Sequence, residues 1–169
     1  LRFHSKTFIM QPNFIAIFVA ALIPLVIGFV WYSPKLFANA WMNAAEISES
    51  KLKTGNMALT FILTYVFSIL IGFMIQFVTI HQFGALGMVG GDIAGAKQSY
   101  SAFMNDYGQA FRSFKHGALH GGMVSILFIF PIIAINALFE RKSWKYILIN
   151  TGYWLVSLTI MGGIICSWQ

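Results

Sequence analysis

The chain has 169 residues, of which 58% are hydrophobic and 9% charged, with a formal net charge of +6. An ordinary soluble domain carries roughly 25% charged residues, so this composition excludes one and points to a chain that lives in a bilayer. The basic excess flanks apolar runs, which suits anionic lipid headgroups rather than nucleic acid.

Four segments contain no Asp, Glu, Lys or Arg: residues 14–32, 57–80, 117–139 and 146–168. At about 1.5 Å per residue, each is long enough to cross a hydrocarbon core about 30 Å thick. The predicted fold class is an all-α membrane protein, one domain over residues 1–169, with four transmembrane helices in a compact bundle. The first segment ends in Trp31, Tyr32, Ser33 and Pro34 rather than at a small-residue cleavage site, and reads as a retained helix. Translation is expected to begin at Leu1 or at Met10.

Pro34 disfavours helical geometry at Ser33, which puts Trp31 and Tyr32 at headgroup depth as interfacial aromatics. Trp41, Trp144 and Trp168 also fall near predicted span ends, whereas Trp154 falls inside one and reads as packing. The connection over 33–56 contains the polar run "SESKLK". In the long connection from His81 to His116, "GALGMVGGDIAG" reads as a flexible loop. Residues 99–114 then carry Tyr100, Phe103, Met104, Tyr107, Phe111 and Phe114 at helical spacing, opposite Asn105, Asp106, Gln109 and Arg112. That pattern predicts an amphipathic helix between the second and third spans, lying in the interface plane or packed on the bundle mouth. Only residues 140–145 separate the third and fourth spans, so these form an antiparallel hairpin.

Small or weakly polar residues recur every four positions in each span: Ala16, Ala20, Pro24 and Gly28; Thr64, Ser68 and Gly72; Gly117, Gly121 and Ser125; Thr159, Gly163 and Ser167. Helices in lipid associate through close packing at such stripes. In a hairpin, the stripe opening the third span and the stripe closing the fourth should face each other.

The alternating direction of the spans brings Asn13, Gln76, His81, His116, His120 and Cys166 toward one mouth of the bundle. His116 and His120 share a helical face at metal-ligand spacing. The residue after His116 is Gly117, so the glutamate of an HExxH motif is missing. A third donor would have to be His81, Asp106 or Cys166. The simpler reading, favoured on sequence alone, is a polar rim of the third helix satisfied by water or carbonyls. The lone Cys166 excludes an intrachain disulfide. No GxSxG, phosphate loop or dinucleotide fingerprint is present. No carboxylate lies inside a span, which disfavours a carboxylate-driven ion transporter. No catalytic residue and no cofactor are implied.

"GFVWYSPKLFANAWM" after the first span, "FKHGALHG" opening the third, and "NALFERKSWKYILINTGYWLVSLTIMGGIICSW" through the fourth resemble the bacterial membrane proteins grouped as domain of unknown function 1761. The resemblance implies a small four-span integral protein of unassigned activity, multi-pass in a bacterial inner membrane, and carries over no catalytic or ligand residue. The expected mode of action is association with lipid-embedded partners, as a homo-oligomer or an accessory subunit of a membrane complex. A small oligomeric transporter or channel is the alternative, and a metal-dependent membrane enzyme the third reading.

Counted from Met10, the mouth side carries Lys97, Arg112 and Lys115, against Lys35, Lys51, Lys53, Arg141, Lys142 and Lys145 on the other side. Adding Arg2 and Lys6 narrows the bias. The positive-inside rule then puts both short connections in the cytoplasm and both termini outside. Single cysteines at Ser50 and Ser143, in a Cys166→Ser background, should resist a membrane-impermeant thiol reagent in intact cells, while one at Ser99 should react. The reverse labelling pattern would invert the topology.

Overall fold

A computed structural model describes residues 11–169. Met10, Arg2 and Lys6, on which the start site and part of the charge bias turn, lie outside them. The described chain is helical, and Phe14–Trp31, Met57–Thr79, Phe114–Phe139 and Trp144–Ser167 are long and apolar enough to span a membrane.

The first span consists of α1 (Phe14–Ala20) and α2 (Ile23–Trp31), so the segment read as one helix is interrupted at residues 21–22. Pro24 is the cause: it offers no N–H to the Ala20 carbonyl, and its ring crowds that oxygen. Two short helices, α3 (Ala38–Ala45) and α4 (Glu49–Lys53), fill the first connection. Glu46 ends α3 in the left-handed region at φ 60°. From the 140–145 turn, Lys142 Nζ donates to Ala45 O at 3.1 Å and to Glu46 Oε2 at 2.8 Å, tying the two short connections together. The hydrogen bond and charge of Lys142 hold the Glu46 carboxyl below its ordinary range.

The second span is α5 (Met57–Thr79), started by Asn56, whose Oδ1 accepts from Leu59 N. The glycine-rich stretch that follows is no flexible loop at its start, because α6 (Gln82–Met88) runs through Gly84 and Gly87. Tertiary anchors overcome the poor helix propensity of glycine. Phe83 is buried in the core with its ring centroid 4.9 Å from that of Phe77, and Gln82 Nε2 donates to Tyr107 O and Ala110 O. The chain then turns at Gly90 and Gly91, both with positive φ.

The amphipathic helix is shorter than the 99–114 pattern predicts: α7 (Gln98–Tyr107) ends at Gly108, whose N–H bonds Met104 O. Residues 108–113 make the turn into the third span instead. Met104 is buried and Tyr100 packs beside it, while Phe103 and Tyr107 are exposed. One edge of α7 therefore sits on the bundle mouth and the rest faces outward.

The third span is α8 (Phe114–Val124), a wide π turn at Ser125–Ile129, and α9 (Phe130–Phe139); the fourth is α10 (Trp144–Ser167). α10 is the central helix and touches all three other spans. Its contact with α8 is backbone on backbone. A Cβ at Gly117 would overlap the Gly162 carbonyl and Cys166, and one at Gly121 would overlap the Leu158 carbonyl. The closest register thus passes through Gly162, which the four-residue spacing omitted. Gly163 faces the Phe114 ring, Thr159 lies beside Gly122, and the Ser167 hydroxyl bonds back to Gly163 O. Ser125 is buried, its hydroxyl without a partner among the described residues.

Elsewhere, Ala16, Ala20 and Ser68 are buried, Gly72 lies under Ile17, and Gly28 lies against Tyr153. The Thr64 hydroxyl donates to Thr60 O of its own helix. At the end away from the mouth, Trp31 Nε1 donates to Ile149 O at 3.1 Å and Tyr32 OH to Asn150 Oδ1 at 3.0 Å, joining the first span to the last. Trp154 packs against the core cluster.

The glycine contacts set an expected order of stability. Gly121→Leu and Gly162→Leu push a branched side chain into backbone and should each cost about 3 kcal/mol, read as a lower thermal midpoint in detergent. Gly84→Leu, where a Cβ meets open space, should change little. Equal losses at positions 84 and 121 would show that the α8 to α10 contact does not limit stability.

Candidate metal centre

The mouth is built around the turn at residues 108–113, which is held from three sides. Gln82 of α6 binds the carbonyls of Tyr107 and Ala110. Arg112 reaches the last turn of α10, Nε donating to Cys166 O and Nη2 to Trp168 O, both at 2.8 Å. A guanidinium there satisfies carbonyls left open at a helix C-terminus and complements its dipole. Cys166 Sγ lies 3.4 Å from Phe111 O and 3.3 Å from Thr79 O, its one S–H proton within reach of either, linking this turn to the end of α5. Phe111 is held at φ +62°, a costly conformation for a bulky residue.

Ser113 then caps α8, its Oγ accepting from His116 N. With the helix so started, His116 and His120 stack one turn apart, ring centroids 4.4 Å apart. His81, between the end of α5 and the start of α6, presents its ring edge-on to both, at 4.7 Å from His116 and 5.0 Å from His120. One nitrogen from each of the three rings can be chosen so that all lie within 4.8 Å of one another. Donors around a tetrahedral zinc stand about 3.3 Å apart, so the rings would have to draw closer to share one ion. His116 Nε2 is buried and makes no hydrogen bond among the described residues, and a buried ring nitrogen without one is costly. Phe111 stacks beside the group, 5.0 Å from His116 and 6.0 Å from His81.

Of the other donors considered, Asp106 is exposed on α7 outside the cluster, and Cys166 is engaged with the two carbonyls. Asn13 caps α1, its Oδ1 accepting from Ala16 N. Gln76 is fully buried, with neither amide atom hydrogen-bonded among the described residues. Two clefts flank the histidines and meet at Phe111. One, of about 630 Å³, lies between α6 and α7 and reaches His81; the other, of about 680 Å³, runs along α8 from His116.

A family model described as protein of unknown function (DUF1761) matches residues 15–166. The chain belongs to the DUF1761 family. No curated protein and no solved structure matches it. The matched stretch covers the four spans except for the first residue of the first and the last residue of the fourth, and it contains all three histidines of this DUF1761 protein's cluster.

Sequence reasoning missed Phe111, Arg112 and Gln82 as the residues that shape the mouth. Only the tertiary contacts reveal them, since a lone Arg before a span reads equally well as a surface charge. Metal binding here requires neutral imidazoles, because ligation competes with protonation. Zinc should therefore bind at pH 8 and be released at pH 5, measured by equilibrium dialysis with elemental analysis. Binding that stays constant across this range would exclude a histidine-only donor set.

Proposed function

We propose that this DUF1761 protein, a multi-pass membrane protein, holds a divalent transition metal at the mouth of its bundle through His81, His116 and His120. One observation carries the reading: three imidazole donors, two from the third span and one from the junction after the second, converge within 4.8 Å. Imidazole nitrogen suits zinc, copper, iron or nickel, and for zinc three protein ligands mark a catalytic site with a fourth position open, where a structural site would be closed by a fourth protein ligand. An ion there would act as a Lewis acid on an oxygen brought to the open position. The site is thus that of a metal-dependent membrane protein working at the bilayer surface. The resemblance in sequence suggests a bacterial inner membrane as its host.

Association as a homo-oligomer or accessory subunit ranks second, because the glycines suited to close packing between chains are occupied within this one, where Gly117 and Gly121 meet α10. A transport path through a single chain ranks behind both, since Leu158, Met161 and Ile165 fill the bundle interior.

Elemental analysis of the purified protein tests the proposal. About one zinc, copper, iron or nickel ion per chain is expected, with occupancy falling at least about tenfold in His116→Gln, His120→Gln and His81→Gln, since loss of one ligand from three removes much of the affinity. A wild-type chain that binds no metal even after incubation with zinc, or three variants that all retain it, would overturn the reading.

A further inference from the structure

The 680 Å³ cleft is a groove with an ordered lining. It begins at Lys115 and His116 and continues past Leu119, Gly122, Met123 and Ile126. From His116 to Ile126 the helix advances roughly 15 Å, about half of a 30 Å hydrocarbon core and so the depth of one leaflet. A cation and a metal donor therefore stand where headgroups lie, and an apolar wall follows where acyl chains lie. Gly122 keeps the middle of the groove hollow, its floor closed by Thr159, whose Oγ1 would be 3.3 Å from an added Cβ.

The charge at the upper end is unbalanced. No carboxylate lines the groove, and among the described residues Lys115 makes no ion pair. Among the described residues, the other cleft, between α6 and α7, has no Lys or Arg in its lining and offers an anion no such partner. A soluble anion would use the upper end of the groove and leave the apolar wall empty. A lipid with an anionic head uses both.

We infer that this groove binds an anionic phospholipid drawn from the surrounding bilayer, its phosphate at the end formed by Lys115 and His116 and one acyl chain along residues 119–126. The inference rests on the proposed metal reading for its second phosphate contact, the open position of the ion at His116. Lys115 supplies the first. One lysine near a membrane surface strengthens the hold on an anionic lipid about fivefold.

Native mass spectrometry of the zinc-loaded full chain, in detergent micelles holding equal phosphatidic acid and phosphatidylcholine, provides the test. Zinc content is measured on the same samples. The expected result is at least about a tenfold preference for phosphatidic acid, reduced about fivefold by Lys115→Gln. Gly122→Phe and Ala118→Trp, two separate plugs of the groove, should each abolish retention with zinc unchanged. Equal retention of the two lipids, or full retention in both plugged variants, would overturn the inference. So would glycerol 3-phosphate competing as well as phosphatidic acid, because the apolar wall would then contribute nothing. A chain that takes up no zinc on incubation yet still selects phosphatidic acid through Lys115 and the groove would uphold the lipid site and defeat the metal reading. A zinc-loaded chain without lipid preference would do the reverse.

Discussion

The mouth of this molecule depends on one contact, the backbone of α8 lying directly on the backbone of α10 at Gly117, Gly121 and Gly162. Lipid gives helices no hydrophobic reason to associate, so closeness of approach has to supply the attraction. Side chains on these residues would hold the helices apart. The contact also sets the axial register, bringing the beginning of α8 level with the end of α10. That register lets Arg112 reach the terminal carbonyls of α10 and lets the Cys166 thiol reach both Phe111 and Thr79. Three chain segments distant in sequence are fastened at one depth as a result.

The fastening offsets a local cost. Phe111 in a left-handed conformation is unfavourable by about 1–2 kcal/mol, yet its carbonyl is anchored by Cys166 and its ring rests beside His81 and His116. Strain of this kind persists where the surroundings over-determine the backbone, and such places concentrate at functional sites. The histidines inherit the order of the turn. His116 is set by the Ser113 cap and His120 follows by helical repeat, while His81 stands at the junction of α5 and α6, which are tied to the same turn through Gln82 and through Cys166 at Thr79 O.

Much of this was legible in the sequence because bilayer thickness is a strict ruler. The four spans, the hairpin of the last two and the shared face of His116 and His120 follow from charge-free length and helical period. The third imidazole was one of several candidates, since His81 lies 35 positions before His116 and only the alternation of spans brings their ends together. Local rules failed where tertiary contacts outweighed them. Gly84 and Gly87 read as loop, but Phe83 and Gln82 anchor a helix through them. The helical aromatic pattern ran on to Phe114, yet the chain had to turn at Gly108 to enter the third span. Glycine spacing located the contact between α8 and α10 to within one residue, because Gly162 and Gly163 are adjacent and spacing alone cannot say which faces inward.

The π turn at Ser125–Ile129 changes the angular phase of the third span. It lies just before Pro131, whose missing N–H a wide turn accommodates. A π turn adds one residue to a helical repeat and so rotates everything beyond it by about 100° relative to an unbroken helix. Counted without the extra residue, Ala137 stands eleven positions from Ser125, three full turns of about 3.6 residues, on the same buried face. The two halves of the hairpin are thus aligned separately: glycine contacts orient the half that carries the histidines, and the inserted residue orients the half below. Removing one residue within 125–129 would turn α9 as a crank about an axis that leaves His116 and His120 where they are. The span is a joint between two independently phased rods.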